Sequence, residues 1–414
     1  MMSPIAYLTC ELKGRDFESR LLIAAELIKL GYYVVVGQYW GLIFAAPAAP
    51  RGCYLFKTAN NIQADAMQKC AGLGHKVVAA DEEALPWVPA LAPANADART
   101  FDYCDSFLAL NAAHAQAVEA AFPMARGKTT VSGTARMDLL LKTRTARPKP
   151  EPYILFNLGF GFINSLWGDL DKAVQIYVTG SRLDLTNPAH KALPDDRLAF
   201  EKAAFRETEA LIDRVEAETD VDLVVRPHPS ERAEFWQEKY RDRLRVTVVS
   251  HSDPIPWIQH AKLMVHSDSS TGLEAAVLGT PALNLSPSDP WAERLILRTI
   301  TPGVATASEA AAAIAAFCRG DRTGAAFRAR RVQDLFPPDG AKATAQTIAR
   351  LLPEPGGLAG IKWERLNRSA AQREKFTVSA DEAEAAMTRI FAMAGVPPKP
   401  MFTLDDSVFA IAPD

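Results

Sequence analysis

Cysteine is scarce and unpatterned. The 414 residues include five, Cys10, Cys53, Cys70, Cys104 and Cys318, an odd number with no CxxC pair and no Cys/His metal spacing. This excludes a disulfide scaffold and a zinc ribbon or finger, and makes a reducing cytoplasm the expected setting. Glycine-rich phosphate loops are absent, so any phosphate must be bound by other means. Long basic runs are absent too: 46 basic against 49 acidic residues leave a net charge of -3, which excludes duplex nucleic acid as an expected partner. No segment is apolar for the ~18 residues a membrane-spanning helix needs. The first nine residues carry no basic n-region, so no signal peptide is expected. The expectation is a soluble cytoplasmic protein. Arg328, Arg330 and Arg331 beside Phe327 suit either a peripheral contact at the inner membrane face or a solvated helix face.

Apolar content is high by contrast, at 48%, enough for two cores in a chain of this length. Pro4–Thr9 reads as a strand, Asp16–Leu30 as an amphipathic helix and Tyr32–Val36 as a second strand. The alternation continues through Cys53–Phe56, a helix near Asn61–Ala71, His75–Ala80, Ser106–Leu110, an Ala-rich helix after Asn111 and Thr129–Ser132. Such a series predicts a parallel sheet covered by helices.

From Leu141 to Pro152 the chain is charged, Pro-rich and without periodicity, and reads as a linker. A second α/β series begins at Tyr153–Phe156. It takes in a polar excursion from about Gly168 to Leu198 and a helix over Phe200–Glu218, then strands near Val221, Val246 and Leu263 and one over Pro281–Leu285. The expected fold class is α/β, of the GT-B type: two Rossmann-like domains facing a central cleft, with a C-terminal helical tail. The domains are expected at residues 1–147 (acceptor side, catalytic carboxylates), 148–353 (donor side) and 354–414. The tail shows helices near Ala370 and Asp381–Ala394 and no strand pattern, and is expected to pack back on the first domain.

Two motifs lie at strand ends in the second half. His266-Ser-Asp-Ser-Ser-Thr-Gly-Leu-Glu-Ala275 follows an apolar run and opens a helix, so Ser267, Ser269, Ser270 and Thr271 can cap backbone N–H groups or leave them for an anion. Arg226-Pro-His-Pro229 follows the Val221 strand, where two prolines restrict Arg226 and His228. At the carboxyl edge of one sheet the two would converge on a ligand. Taken alone, the Ser motif also fits an ordinary capped helix.

Carboxylates gather at strand ends in the first half. Glu11 follows the first strand, and Asp81, Glu82 and Glu83 follow His75–Ala80. By the crevice rule they point to the ligand side, though either group also fits a helix start. A carboxylate there can act as nucleophile or as general base toward a sugar. Arg15 suits an acidic substrate group or a plain ion pair. His114 follows the Phe107 strand, and Asn157 ends the strand after the linker. Asp169-Leu-Asp171 reads as a surface turn rather than a metal motif.

Cys10–Ala24, Asp81–Ala84, Ser132–Leu140, Ile154–Phe160, Arg226–Pro229 and Ser269–Ala275 occur in the order seen in bacterial surface-carbohydrate biosynthesis proteins. The series resembles the retaining β-Kdo transferases over about Pro4–Pro353. The His–Pro loop with its later Ser motif also resembles the CMP-sugar site of bacterial GT-B sialyltransferases. The resemblance implies a metal-independent, cofactor-free transfer of Kdo or a related ulosonic acid from CMP-Kdo to a surface-polysaccharide or lipid-linked glycan acceptor. Asp81 would be the nucleophile and Glu11 a second catalytic carboxylate, with His114 in the cleft. Arg226, His228, Pro229, Ser267, Ser269, Ser270, Thr271 and Glu274 would hold the donor, and Arg15, Glu82 and Asn157 are further candidates. Gly133-Thr-Ala-Arg-Met-Asp138 and Leu158–Gly159 depart from that family's pattern. A CDP-alditol phosphotransferase, a non-catalytic nucleotide-sugar binding protein of polysaccharide export, and other chemistries of this fold such as epimerisation are the alternatives.

Overall fold

A computed structural model of the chain describes residues 3–413, apart from 90, 181–182, 184, 187, 251, 288–289, 302, 324–331, 333, 352–362 and 364–365. Phe327, Arg328, Arg330 and Arg331 lie outside the described residues. The chain divides into two compact units: Met1–Leu85, Pro89–Thr143 and Asp334–Asp414 form the first, and Pro86–Val88 with Arg144–Gln333 form the second.

In the first unit, strands β1 (Ile5–Cys10), β2 (Tyr33–Gln38), β3 (Cys53–Phe56), β4 (Lys76–Ala80), β5 (Ser106–Ala109) and β6 (Thr129–Val131) lie in the order β2-β1-β3-β4-β5-β6, all parallel. Every residue of β1 and β3 is buried, because both faces are covered, and this is why these strands read as unbroken apolar runs. One face packs against Leu21, Ile348 and Ile390 from helices Glu18–Lys29, Gly340–Leu351 and Ala380–Met393. The other meets Met67 and Val118 from helices Asn61–Gly72 and Ala112–Ala121.

The second unit carries β7 (Tyr153–Asn157), β8 (Asp222–Arg226), β9 (Val246–Val248), β10 (Leu263–His266), β11 (Ala282–Leu285) and β12 (Gly303–Val304). They form a parallel sheet ordered β12-β11-β10-β7-β8-β9. The polar excursion is more regular than the sequence suggests: Leu170–Gly180 and Pro188–Lys191 are helices, and the following helix runs from Leu193 to Glu218. Asp169 starts the first of these, its carboxylate accepting the Asp171 N–H at 2.8 Å. Among the described residues no helix is long and apolar enough to cross a membrane.

The C-terminal segment is helical over Ala370–Lys375 and Ala380–Met393, as expected, and also over Gly340–Leu351, but the reading that it lacks strands is corrected. It ends in a hairpin of β13 (Met401–Asp405) and β14 (Val408–Ile411). β14 pairs antiparallel with β2, extending the first sheet by two strands. A two-stranded hairpin is marginal alone and gains stability from the sheet it joins. The chain returns to the first unit already at Asp334, because Ile348 and Ala345 of helix Gly340–Leu351 fill that unit's core.

Each sheet has one point where the strand order reverses. In the first unit the chain goes from β1 out to β2 and then back to β3 on the other side; in the second, β8 and β9 lie on one side of β7 and β10 on the other. Open α/β sheets bind ligands outside the carboxyl ends of the strands flanking such points.

Candidate functional site

At the carboxyl edge of the first sheet, Glu11 follows β1, Lys57 follows β3 and Asp81 follows β4. Lys57 is 1% exposed. Its ammonium lies 3.1 Å from Glu11, 3.4 Å from Asp16 and 3.9 Å from Glu83. Glu11 is held from its other oxygen by Gln63, whose Nε2 donates at 2.8 Å. Asp16 sits in a π-helical turn, Lys13–Phe17, and its carboxylate accepts the N–H groups of Glu11 and Leu12 at 2.8 and 2.9 Å. Burial alone would raise the Asp16 pKa, but Lys57 and Arg20, then those two N–H groups, bring it below the ordinary value. One step further in, Arg20 and Glu82 form a buried pair at 2.9 Å, and Arg15 donates to the Glu82 carbonyl at 3.3 Å.

Asp81 is the exception in this cluster. It is buried and has no cation within ion-pair reach among the described residues. Burial first, and Glu83 next, push its pKa up to about 8, against the opposing N–H groups of Glu83 and Ala84. The Asp81 carboxyl thus holds its proton well above the ordinary carboxylate range. His114 stands apart from these groups. It is buried against the Phe107 ring, its Nδ1 accepts the Leu110 N–H at 3.2 Å, and burial pushes its pKa down to about 4.

The second unit brings together residues from three strand ends. Asn157, ending β7, donates through Nδ2 to the Thr271 hydroxyl at 2.8 Å, and the Ser269 and Thr271 hydroxyls are 2.9 Å apart. Arg226, ending β8, donates to the Asn157 Oδ1 at 3.4 Å and to the Ser252 carbonyl, while its buried Nε has no partner among the described residues. Burial lowers the Arg226 pKa, opposed by Asp253 and Glu274. Glu274 is buried in the first turn of helix Thr271–Leu278, where a carboxylate complements the helix dipole.

The turn between β10 and that helix is strained and held. Asp268 has φ 46°, uncommon for a residue with a side chain. Asn284 on β11 fixes it from both directions, accepting the Asp268 N–H at 2.9 Å and donating to its carboxylate at 2.6 Å. Ser267 and Ser269 on either side are half-buried, and Ser270 is exposed. His266 lies beneath the helix start with neither ring nitrogen partnered among the described residues, and burial pushes its pKa down to about 3. A Cβ at position 272 would come within 2.6 Å of that ring, which is why glycine stands there.

His228 and Pro229 are exposed. The His228 Nδ1 accepts the Ser230 N–H at 3.1 Å and lies 2.7 Å from the Ser230 hydroxyl. Partial desolvation, then Arg197 and Arg226, lower its pKa. An Nδ1 that accepts leaves the proton on Nε2, so His228 is a neutral donor. The sequence reading missed Lys57, Gln63 and Asp16 in the first unit and Glu231 and Asn284 in the second. Lys57 was findable, since it follows a strand just as Glu11 and Asp81 do; the others are marked only by their three-dimensional partners.

No family model matches the chain, and no curated protein matches it. Solved structures do. A putative UDP-N-acetylglucosamine 2-epimerase from Listeria monocytogenes aligns with a TM-score of 0.54 at 10% identity, over 86% of this chain and 99% of that one. The UDP-GlcNAc 2-epimerase of Methanocaldococcus jannaschii gives 0.53 at 10% identity, over 84% and 99%. That of Neisseria meningitidis, bound to UDP-GlcNAc, gives 0.52 at 9% identity, over 84% and 100%. At such identities the likeness shows the fold: two Rossmann-like units in a GT-B-like arrangement of elements. It corrects the expectation of a retaining Kdo transferase, since the three structures just named are 2-epimerases, and neither the phosphotransferase nor the non-catalytic alternative gains support.

Proposed function

We propose that the chain is an enzyme acting on a nucleotide sugar, and that its reaction is epimerisation beside the anomeric carbon. The observation that carries this reading is the convergence at the β7/β10 reversal of the second sheet. There the Ser269 and Thr271 hydroxyls, the Asn157 amide, the Arg226 guanidinium and the start of helix Thr271–Leu278 lie together. Helix starts and neutral hydroxyls favour phosphate oxygens, and an arginine adds charge. His228 supplies a further neutral N–H donor. Epimerisation beside the anomeric carbon takes the C2 proton from one face as the nucleoside diphosphate leaves C1 with its bonding electrons, and returns a proton to the other face as the diphosphate rejoins C1, which calls for groups that exchange protons near neutral pH. Asp81, with its pKa raised to about 8, is the candidate for that role, with Glu11 as a second carboxylate. The fold it shares with UDP-GlcNAc 2-epimerases supports the choice of substrate class.

Incubation with UDP-GlcNAc in D2O, followed by NMR, tests the reading. The expected result is deuterium at C2 together with the C2 epimer. Absence of exchange on a panel of UDP-sugars that the protein binds would sink the epimerisation step, and absence of UDP binding would sink the site itself.

A further inference from the structure

Glu231 shares with Asp81 the lack of a counter-ion among the described residues but differs from it in its surroundings. It is 3% exposed, and no cation lies within ion-pair reach of it among the described residues. Four N–H groups hold it instead. Its Oε1 accepts the Phe160 N–H at 3.1 Å and the His228 N–H at 2.9 Å. Its Oε2 accepts the Trp236 indole at 3.0 Å and the Asn164 amide at 3.5 Å. Burial raises its pKa while these donors oppose the rise. A buried anion without a counter-ion is costly to keep unless its donors are all in place, so its geometry is tightly defined.

Three of those donors come from two loops, Phe160 and Asn164 from the one after β7 and His228 from the one after β8, while Trp236 belongs to helix Ala233–Lys239. The loops run side by side. Leu158 donates to the Arg226 carbonyl, Leu166 to that of Ser230 and Arg232 to that of Asn164, at 3.0, 2.8 and 3.0 Å, and Ser165 bridges Glu231. A Cβ at Gly161 would stand 2.4 Å from the Ser230 hydroxyl, so the contact tolerates little shift. The carboxylate sits where both loops present backbone N–H groups. The His228 backbone N–H is one of them, and Ser230, which orients the His228 ring, lies between His228 and Glu231.

We propose that Glu231 is a positioning residue: its carboxylate locks the loops after β7 and β8 together and thereby presents His228 as a neutral Nε2–H donor to an anionic ligand oxygen. The ligand part rests on the nucleotide-sugar reading above; the positioning part does not. A Glu231→Gln substitution keeps size and shape but turns an NH2 group toward N–H donors whichever way the amide lies. The turn then loosens, and Nδ1 loses the Ser230 N–H.

The test is nitrogen NMR of the histidine side chains in the full chain, with UDP titration and thermal unfolding alongside. The expected wild-type His228 signal is the Nε2–H tautomer. In Glu231→Gln it should become a mixture of tautomers, and UDP affinity should fall about tenfold, the effect of one unsatisfied buried group. Trp236→Phe, which removes one donor and leaves the carboxylate, should move the His228 signal the same way by less. A folded Glu231→Gln with an unchanged tautomer overturns the proposal. So does an unchanged tautomer in Trp236→Phe if Glu231→Gln fails to fold. A tautomer that responds in a protein that never binds UDP supports the positioning role and removes the nucleotide reading instead.

Discussion

At the edge of the first sheet Arg20 finds Glu82 at 2.9 Å, and Lys57 finds Glu11 and Asp16 at 3.1 and 3.4 Å. At the edge of the second, Glu231 is held by N–H groups, and Asn157, Ser269 and Thr271 meet through neutral hydroxyls and amides. The first edge thus sets opposite charges against one another and leaves Asp81 without a cation within ion-pair reach among the described residues. The second gathers neutral donors around one arginine. Paired charges fix a framework in which one acid can be tuned, whereas neutral donors favour an incoming anion without competing charge.

If the first edge is such a framework, breaking it should cost stability more than anything done at the second. Glu82→Gln leaves the Arg20 guanidinium, 1% exposed, without its partner, and should lower stability by about 3–5 kcal/mol. Replacing both by apolar residues of similar volume should recover most of the loss. Thermal or denaturant unfolding decides it: a Glu82→Gln protein as stable as wild type would mean that the pair is not the framework.

The next effect concerns Asp81. Its pKa is raised from 3.8 to about 8 in the folded chain. The folded state therefore keeps a proton that the unfolded chain releases near 3.8, and the native state binds more protons throughout that window. The stability conferred by the neutral carboxyl is complete below the window and is lost as pH rises through about 8. The upper limit of that loss is about 1.4 kcal/mol per pH unit. Asp81→Asn stays neutral at every pH, so wild type should lose stability relative to it between pH 4 and pH 8. Parallel unfolding curves across that range would remove Asp81 as the tuned acid. In the epimerisation assay, Asp81→Asn should also lose C2 exchange while retaining UDP binding.

Much of this arrangement was legible because parallel strands buried on both faces leave continuous apolar runs, and the residue after each run marks the ligand edge. Tyr153–Phe156, Val221–Arg226 and Lys262–His266 could be placed in this way, and Glu11, Asp81, Arg226 and Ser269 with them. The hairpin of β13 and β14 could not. Phe402 and Thr403 are exposed, and what makes these residues a strand is pairing with β14, which itself pairs with β2 more than 370 positions earlier in the chain. The direction of the Asp81 shift was equally hidden, since Glu82 and Glu83 beside it in sequence differ in whether a cation reaches them in space. The Kdo reading failed at a similar point. Arg226-Pro-His-Pro229 and Ser269–Ala275 read as a seat for an anion, and such a reading does not specify which sugar a phosphate carries.

The smallest effect on stability should come from the second edge. Thr271→Val keeps the shape of the side chain but removes the acceptor of the 2.8 Å bond from Asn157 and the contact with the Ser269 hydroxyl. A single neutral hydrogen bond of this kind contributes about 1 kcal/mol net, so the thermal midpoint should move little. UDP affinity should nonetheless fall about tenfold, because one donor to the phosphates is gone and the Asn157 amide turns away from the site. A midpoint shift as large as that of Glu82→Gln, with UDP affinity intact, would make the second edge a framework like the first and erase the distinction between them.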